Sequence, residues 1–263
     1  LKSKNAFDLI LGKLTALLKN KNRLTPPPNK TMYDKHDFKK IGNDYLAYFI
    51  KYCHLKPEDK ILDIGCGIGR MAIPLTTYIS PNGSYDGFDI IKDNIEWCSK
   101  NITKQFSNFR FKWINILNNL YNPSGTERAS EVQFPYDNNS FDFIFLTSVF
   151  THMLPDDMEH YFSEISRILK KNGKCLSTFF LLNDETSSLI KEGKSTRDFI
   201  HEYKEYRLLN HKIPEAAICY KEEYILNLFV KNKLSIIKPI HYGAWRGKKS
   251  LYRNQDIIIA SKK

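Results

Sequence analysis

With 263 residues, 42% of them hydrophobic, the chain has room for one large domain, or a domain with a small appendage, around a substantial core. Its formal net charge is +11, from 40 Lys+Arg against 29 Asp+Glu, and the lysines are interleaved with asparagines without forming one dense block. That pattern reads as a solvated basic surface, with anionic substrates, nucleic acid or lipid as the sharper alternatives. The five cysteines (Cys53, Cys66, Cys98, Cys175, Cys219) are odd in number, widely spaced and without a C-x-x-C pair. This excludes a disulfide framework and a zinc site as working readings and favours a reducing, cytoplasmic setting. No apolar run approaches the length of a membrane span. The first residue is Leu1, so a longer parent protein stays open.

In chain order, Ala6 to Leu18 has helical periodicity among lysines and reads as a helix packed on its own domain, with membrane or partner contact as the alternative. Pro26-Pro27-Pro28 then reads as a stiff linker, and residues 1–36 as an N-terminal appendage to a domain over 37–263. A helix is expected from Asp37 to Cys53. Strands are expected at Lys60–Ile64, Ser84–Phe88, Phe109–Ile114, Phe141–Thr147 and Lys174–Phe180. Helices are expected at Arg70–Ile79, Ile91–Phe106, Asp157–Leu169 and Glu222–Val230. Strands alternating with helices imply a doubly wound α/β fold with a mostly parallel sheet. Leu234–Ile240 and Gln255–Ala260 read as a terminal hairpin. Two stretches exceed the minimal plan. Asn118–Phe134 follows the third strand, and Asn183–Tyr220 reads as a cap inserted over an acceptor pocket.

The most informative stretch is Ile61-Leu62-Asp63-Ile64-Gly65-Cys66-Gly67-Ile68-Gly69-Arg70, in which an apolar strand runs into alternating glycines and a helical pattern. A turn without side chains lets a ligand approach the backbone closely. Asp89 ends the second strand roughly 20 residues beyond the last glycine, the offset of a carboxylate that binds a ribose hydroxyl. A dinucleotide fingerprint would need glycine at position 70, which is Arg70. The run instead resembles the D-x-G-x-G-x-G signature of class I S-adenosylmethionine-dependent methyltransferases.

That resemblance covers roughly Asp37 to the C-terminus and implies a seven-stranded Rossmann-like sheet with S-adenosylmethionine as cofactor. Carried over by motif, the cofactor-binding residues are Asp63, Gly65, Cys66, Gly67, Gly69, Arg70, Asp89 and Ile90. Asn115 stands where family members often carry an acid for the adenine amine, and an amide oxygen can still accept that bond. Ile116 adds an apolar wall, and Thr147, Ser148 and Val149 border the cofactor at the end of the fourth strand. An Asn/Asp-Pro-Pro-aromatic run of nucleic-acid amino-methyltransferases is absent at that strand end. No carboxylate follows the strand, which argues against a catalytic magnesium.

A sulfonium donor passes its methyl in line, so positioning in a dry pocket carries much of the catalysis. An alcohol acceptor also needs a base. His152, on the loop after the fourth strand, is the candidate, with a pocket-lining or helix-start role as the alternative. Tyr242-Gly243-Ala244-Trp245-Arg246-Gly247 resembles the C-terminal signature of bacterial glycan-modifying members. It implies that Trp245 and Arg246 bind the acceptor, joined by Tyr136 and, by family resemblance, Tyr33. The remaining histidines (His36, His54, His160, His201, His211, His241) lack ligand spacing, and no metal is expected. The reading is an O-methyltransferase acting on a sugar or glycan hydroxyl. Two alternatives stand beside it: O- or N-methylation of a small natural product, and a non-catalytic binding protein for nucleic acid. Oligomeric state is left open.

Overall fold

A computed structural model describes residues 24–28, 35–250 and 254–263, so the expected helix at 6–18 and Tyr33 lie outside the described residues. The chain divides after Ile114 into two compact units.

The first unit opens with α1 (Lys35–Cys53), whose Phe38, Ile41, Tyr45, Leu46 and Phe49 fall at helical spacing and are buried. Next come β1 (Lys60–Ile64), the short helix α2 (Ala72–Leu75), β2 (Ser84–Asp89), α3 (Lys92–Cys98) and β3 (Phe109–Trp113). β1 pairs in parallel with β2, Ile61 opposite Tyr85 and Ile64 opposite Phe88, and β2 pairs in parallel with β3. Ile61, Leu62 and Ile64 are all buried, the near-continuous apolar run of a strand covered on both faces.

Both expected helices are shorter in the structure. α2 is cut at four residues because Pro74 has no N–H to give and the hydroxyls of Thr76 and Thr77 donate to the carbonyls of Ile73 (2.6 Å) and Pro74 (2.9 Å). α3 gives way at Ser99–Thr103 to a wider π-type turn, which brings Ile102 against the glycine turn.

The second unit contains β4 (Phe141–Leu146), α4 (Pro155–Ile168), β5 (Leu169–Phe179), β6 (Leu181–Leu182), α5 (Asp184–Lys191), β7 (His201–Glu202), β8 (Tyr206–Leu208), β9 (Ile218–Lys221), α6 (Glu222–Lys231), β10 (Leu234–His241) and β11 (Asp256–Lys262). β4 and β5 are parallel. β11 runs antiparallel to both β5 and β10. The strand order β10-β11-β5-β4-β1-β2-β3 makes one mostly parallel seven-stranded sheet that ends in antiparallel strands.

The 183–220 stretch is a folded element. β6, β9, β8 and β7 form a four-stranded sheet in that order, with α5 beside it. Its small core gathers Phe180, Leu182, Phe199, Ala217, Cys219 and Trp245. Among the described residues no helix is long and apolar enough to cross a membrane.

Candidate active site

In the first unit, the glycine run forms the turn between β1 and α2. Gly65, Gly67 and Gly69 all have positive φ (76°, 52° and 78°), a conformation that costs any L side chain. The two later glycines differ. A Cβ on Gly69 would come within 2.8 Å of Ile102 Cδ1, so this position is packed shut, whereas a Cβ on Gly67 would meet nothing within 4 Å. Gly67 therefore borders open space that a ligand can fill.

Two carboxylates frame that turn. Asp89 is buried at the end of β2. Its Oδ2 accepts from the Gly67 N–H at 2.7 Å and its Oδ1 from the Ile91 N–H at 2.8 Å. Each oxygen keeps a second lone pair for a ribose hydroxyl. Burial raises its pKa, against the pull of these backbone donors. Asp63 is more enclosed. Its Oδ2 accepts from the Tyr85 hydroxyl at 2.7 Å, while its Oδ1 is buried with no hydrogen-bond partner among the described residues. Burial pushes this carboxyl up to about 8, opposed by the Tyr85 hydrogen bond. An acceptor atom held dry beside a side-chain-free turn suits a cationic donor group such as the ammonium of S-adenosylmethionine.

Cys66 packs inside the turn, its thiol pushed well up by burial, which makes it a filler and not a nucleophile. The backbone of Ile90 receives the Trp113 indole N–H at 3.0 Å, and Arg70 stands at the turn's exit.

In the second unit, Asn115 is tied into its own loop. Its amide donates to Thr126 Oγ1 at 3.1 Å and its Oδ1 accepts from Asn122 at 3.2 Å. The oxygen expected to serve adenine is thus already shared with Asn122. Ile116 is buried. Thr147, Ser148 and Val149 follow β4, and Ser148 takes φ 60°. The Ser148 N–H donates to Thr178 Oγ1 at 2.8 Å and its hydroxyl to Gln255 Oε1 at 3.0 Å; Thr178 also donates to Gln255, at 2.7 Å. Gln255 therefore fixes the carboxyl ends of β4 and β5 together, an organising role that no local pattern announces.

His152 lies on the turn Phe150–His152 just beyond. Its Nδ1 is 2.7 Å from the carbonyl of Glu215, on the cap. A carbonyl only accepts, so Nδ1 carries the proton and Nε2 keeps its lone pair. Burial lowers the imidazole's pKa, opposed by the Glu215 hydrogen bond and reinforced by the charge of Arg197. The Tyr121 ring meets it edge-on at 5.3 Å. The supporting turn is itself held, because Asn119 Nδ2 donates to Glu215 Oε1 at 2.6 Å and the Tyr220 hydroxyl donates to the Met153 carbonyl at 2.5 Å. Both insertions thus converge on His152. Asn119, Tyr121, Arg197 and Glu215 carry no motif, and only tertiary structure finds them.

Three expected acceptor contacts are corrected. Trp245 is 0% exposed, packs against Phe180 and Phe199, and donates its indole N–H to Asp256 Oδ2 at 2.8 Å, so it has no face left for a sugar. Arg246 is buried, pairs with Glu185 at 2.7 Å and lies over the Tyr242 ring. Tyr136 packs on Phe141 at the amino end of β4, the end opposite to His152. Among the described residues no three His, Cys, Asp or Glu side chains gather into a metal-binding group.

A mostly parallel seven-stranded sheet with a terminal antiparallel pair and a glycine turn after β1 defines a Rossmann-like methyltransferase fold. The chain belongs to the Methyltransferase domain family, which matches residues 55–233. It is 27% identical over 132 residues, half of its length and 48% of the relative's, to a demethylmenaquinone methyltransferase of Lactobacillus johnsonii. It is 25% identical over 234 residues, 88% of its length and 81% of the relative's, to an uncharacterized methyltransferase of Bacillus subtilis. The chain spans about half the length of the quinone-methylating relatives it matches. A SAM-dependent methyltransferase structure from Methanosarcina mazei shares the fold, with a TM-score of 0.54 and 21% identity over 81% of this chain and 96% of that one. The chain therefore carries a methyltransferase domain.

Proposed function

We propose that this enzyme methylates a small, largely apolar acceptor that must surrender a proton, with His152 as the base. The observation that carries the reading is the 2.7 Å contact from His152 Nδ1 to the Glu215 carbonyl, which orients the ring and leaves Nε2 basic. Among the described residues, most of the exposed large apolar side chains sit on the two insertions that hold His152: Leu120, Tyr121, Ile200, Tyr203 and Ile213. That favours a hydrophobic acceptor. The names of the relatives, a demethylmenaquinone and a 2-phytyl-1,4-naphtoquinone methyltransferase, point the same way, to a hydroquinone-like ring. A saccharide hydroxyl is less supported, since Trp245 and Arg246 are both occupied. The five free, buried cysteines support a cytoplasmic setting.

The glycine turn, Asp63 and Asp89 would hold S-adenosylmethionine, which when bound supplies the methyl as an electrophile on sulfur. The chain's part is to exclude water, align the acceptor and take its proton on Nε2 as the new bond forms. His152→Gln should lower kcat by about 10²–10⁴ while donor affinity, measured by calorimetry, stays unchanged. In the wild type, the acid limb of the rate profile should lie below the ordinary histidine value of about 6.5, because the ring must be neutral to act. Wild-type turnover in His152→Gln across a panel of reduced quinones would remove the base.

A further inference from the structure

Asp63 is served by a neighbour that no motif announces. β1 and β2 lie side by side with Asp63 opposite Gly87 and Ile61 opposite Tyr85, so Tyr85 and Gly87 share one face of β2. The Tyr85 ring leans along that face. A Cβ on Gly87 would meet its Cε1 at 3.1 Å and the Cβ of Cys66, inside the glycine turn, at 2.9 Å. Glycine at 87 thus lets the ring pass diagonally to Asp63, where its hydroxyl donates to Oδ2 at 2.7 Å. The ring is 0% exposed, stacks on Phe109 at 5.1 Å and packs against Phe111 at 5.5 Å, which fixes where the hydroxyl points.

That hydroxyl satisfies half of the carboxyl. Asp63 is 1% exposed, and among the described residues of the first unit its Oδ1 is the one carboxylate oxygen buried without a hydrogen-bond partner. Two residues on, Gly65 opens the turn whose Gly67 borders open space. One oxygen is fastened, and the other is held dry beside the turn. An unanswered carboxylate oxygen carries a desolvation cost that a cation would offset. The ionisable groups around this carboxyl are Tyr85 and Asp89 from β2, Arg70 beyond the turn, and the thiols of Cys66 in the turn and Cys98 at the end of α3. Burial disfavours its ionised form most; the Tyr85 hydroxyl favours it, Asp89 opposes it and Arg70 favours it.

We propose that Tyr85 is a positioning residue of the donor site, holding Oδ2 of Asp63 so that Oδ1 is kept for the ammonium of S-adenosylmethionine. This rests on the donor site proposed above for the glycine turn, Asp63 and Asp89. Without the hydroxyl, the buried carboxyl keeps its proton to higher pH and offers the ammonium a weaker counter-charge.

The test is calorimetric and uses two probes on the full chain. S-adenosylhomocysteine carries the ammonium; 5′-methylthioadenosine keeps the nucleoside and thioether and lacks the amino acid. Tyr85→Phe should weaken S-adenosylhomocysteine by at least about tenfold and methylthioadenosine by less than about twofold. It should also move the fading of proton release on S-adenosylhomocysteine binding to higher pH. In an Asp63→Asn background the same substitution should change S-adenosylhomocysteine affinity by less than about twofold, since the charge it positions is gone. Wild-type affinity in Tyr85→Phe, equal weakening of both probes, or a full effect in the Asp63→Asn background would overturn the proposal. If circular dichroism shows Tyr85→Phe unfolded, the wild type decides by NMR. The Tyr85 hydroxyl proton, assigned by its contacts with Phe109, should shift downfield with S-adenosylhomocysteine and stay in place with methylthioadenosine; an equal response to both would overturn the proposal. Unchanged S-adenosylhomocysteine affinity in Asp63→Asn would end the donor role of Asp63 and the proposal with it. Loss in Asp63→Asn but not in Tyr85→Phe would leave that role standing and remove Tyr85 alone.

Discussion

Around Gly67, the chemistry is assembled from neighbours in the chain: a strand end, a bend, and the carboxylate that closes the next strand. Around His152, the same job is shared by segments far apart. Asn119 and Tyr121 come from one insertion, Arg197 and Glu215 from another, and Gln255 from the last strand's approach. The donor side is local and repeats a pattern that suits any methyl acceptor. The proposed acceptor side is assembled from segments far apart in the chain, the kind of loop-borne surface on which a common fold varies its substrate.

The largest effect that would test this contrast is Trp245→Ala. Removing a fully buried indole from the cap core should cost about 3–5 kcal/mol in denaturant unfolding. Acceptor turnover should fall while S-adenosylmethionine still binds to the folded fraction. Simultaneous loss of donor binding would show the two sides to be one cooperative piece and dissolve the distinction.

Next in size is the pair Gly69→Ala and Gly67→Ala. The first meets Ile102 at 2.8 Å with φ 78° and should cost stability by about 1–3 kcal/mol. The second has room and should mainly occupy ligand space. It should lose about tenfold or more in donor affinity, with a smaller change in melting, about 1–2 kcal/mol from the left-handed backbone. Equal losses of stability would mean that Gly67 is structural as well.

The smallest effect concerns protons. Asp63 is raised to about 8, so near pH 7 it is mostly protonated, and binding a cationic ammonium should expel that proton. Calorimetry in buffers of different ionisation heat should record proton release on donor binding, fading as pH rises past 8 and absent in Asp63→Asn. The same shift adds stability below pH 4 that is lost as pH rises through 8, because the folded state then binds more protons than the unfolded chain.

What was legible in the sequence follows the same division. β1 and β4 are short, mostly apolar runs whose burial comes from neighbours on both sides, and the glycine turn needs residues that only glycine supplies. The shortening of α2 was hidden in small details: a proline at position 74 and two threonine hydroxyls that satisfy carbonyls the next turn would have used. Trp245 misled because the C-terminal signature it resembles says nothing of what packs around it. The rings that bury it, Phe180 and Phe199, lie more than forty residues away in the chain. His152 stood out as a base on a loop, but its tautomer depends on the Glu215 carbonyl 63 residues further on.

Asp256 bears on the order in which the molecule can be made. One carboxylate receives the N–H groups of Leu181 and Gly243 and the indole of Trp245, joining the final strand to the base of the cap. β11 also lies between β5 and β10, so it enters an otherwise finished layer. A ribosome would have to release the chain through Asp256 before the cap could be pinned, whereas the glycine bend emerges long before. The nascent chain would then shape its proposed donor turn well ahead of the cap.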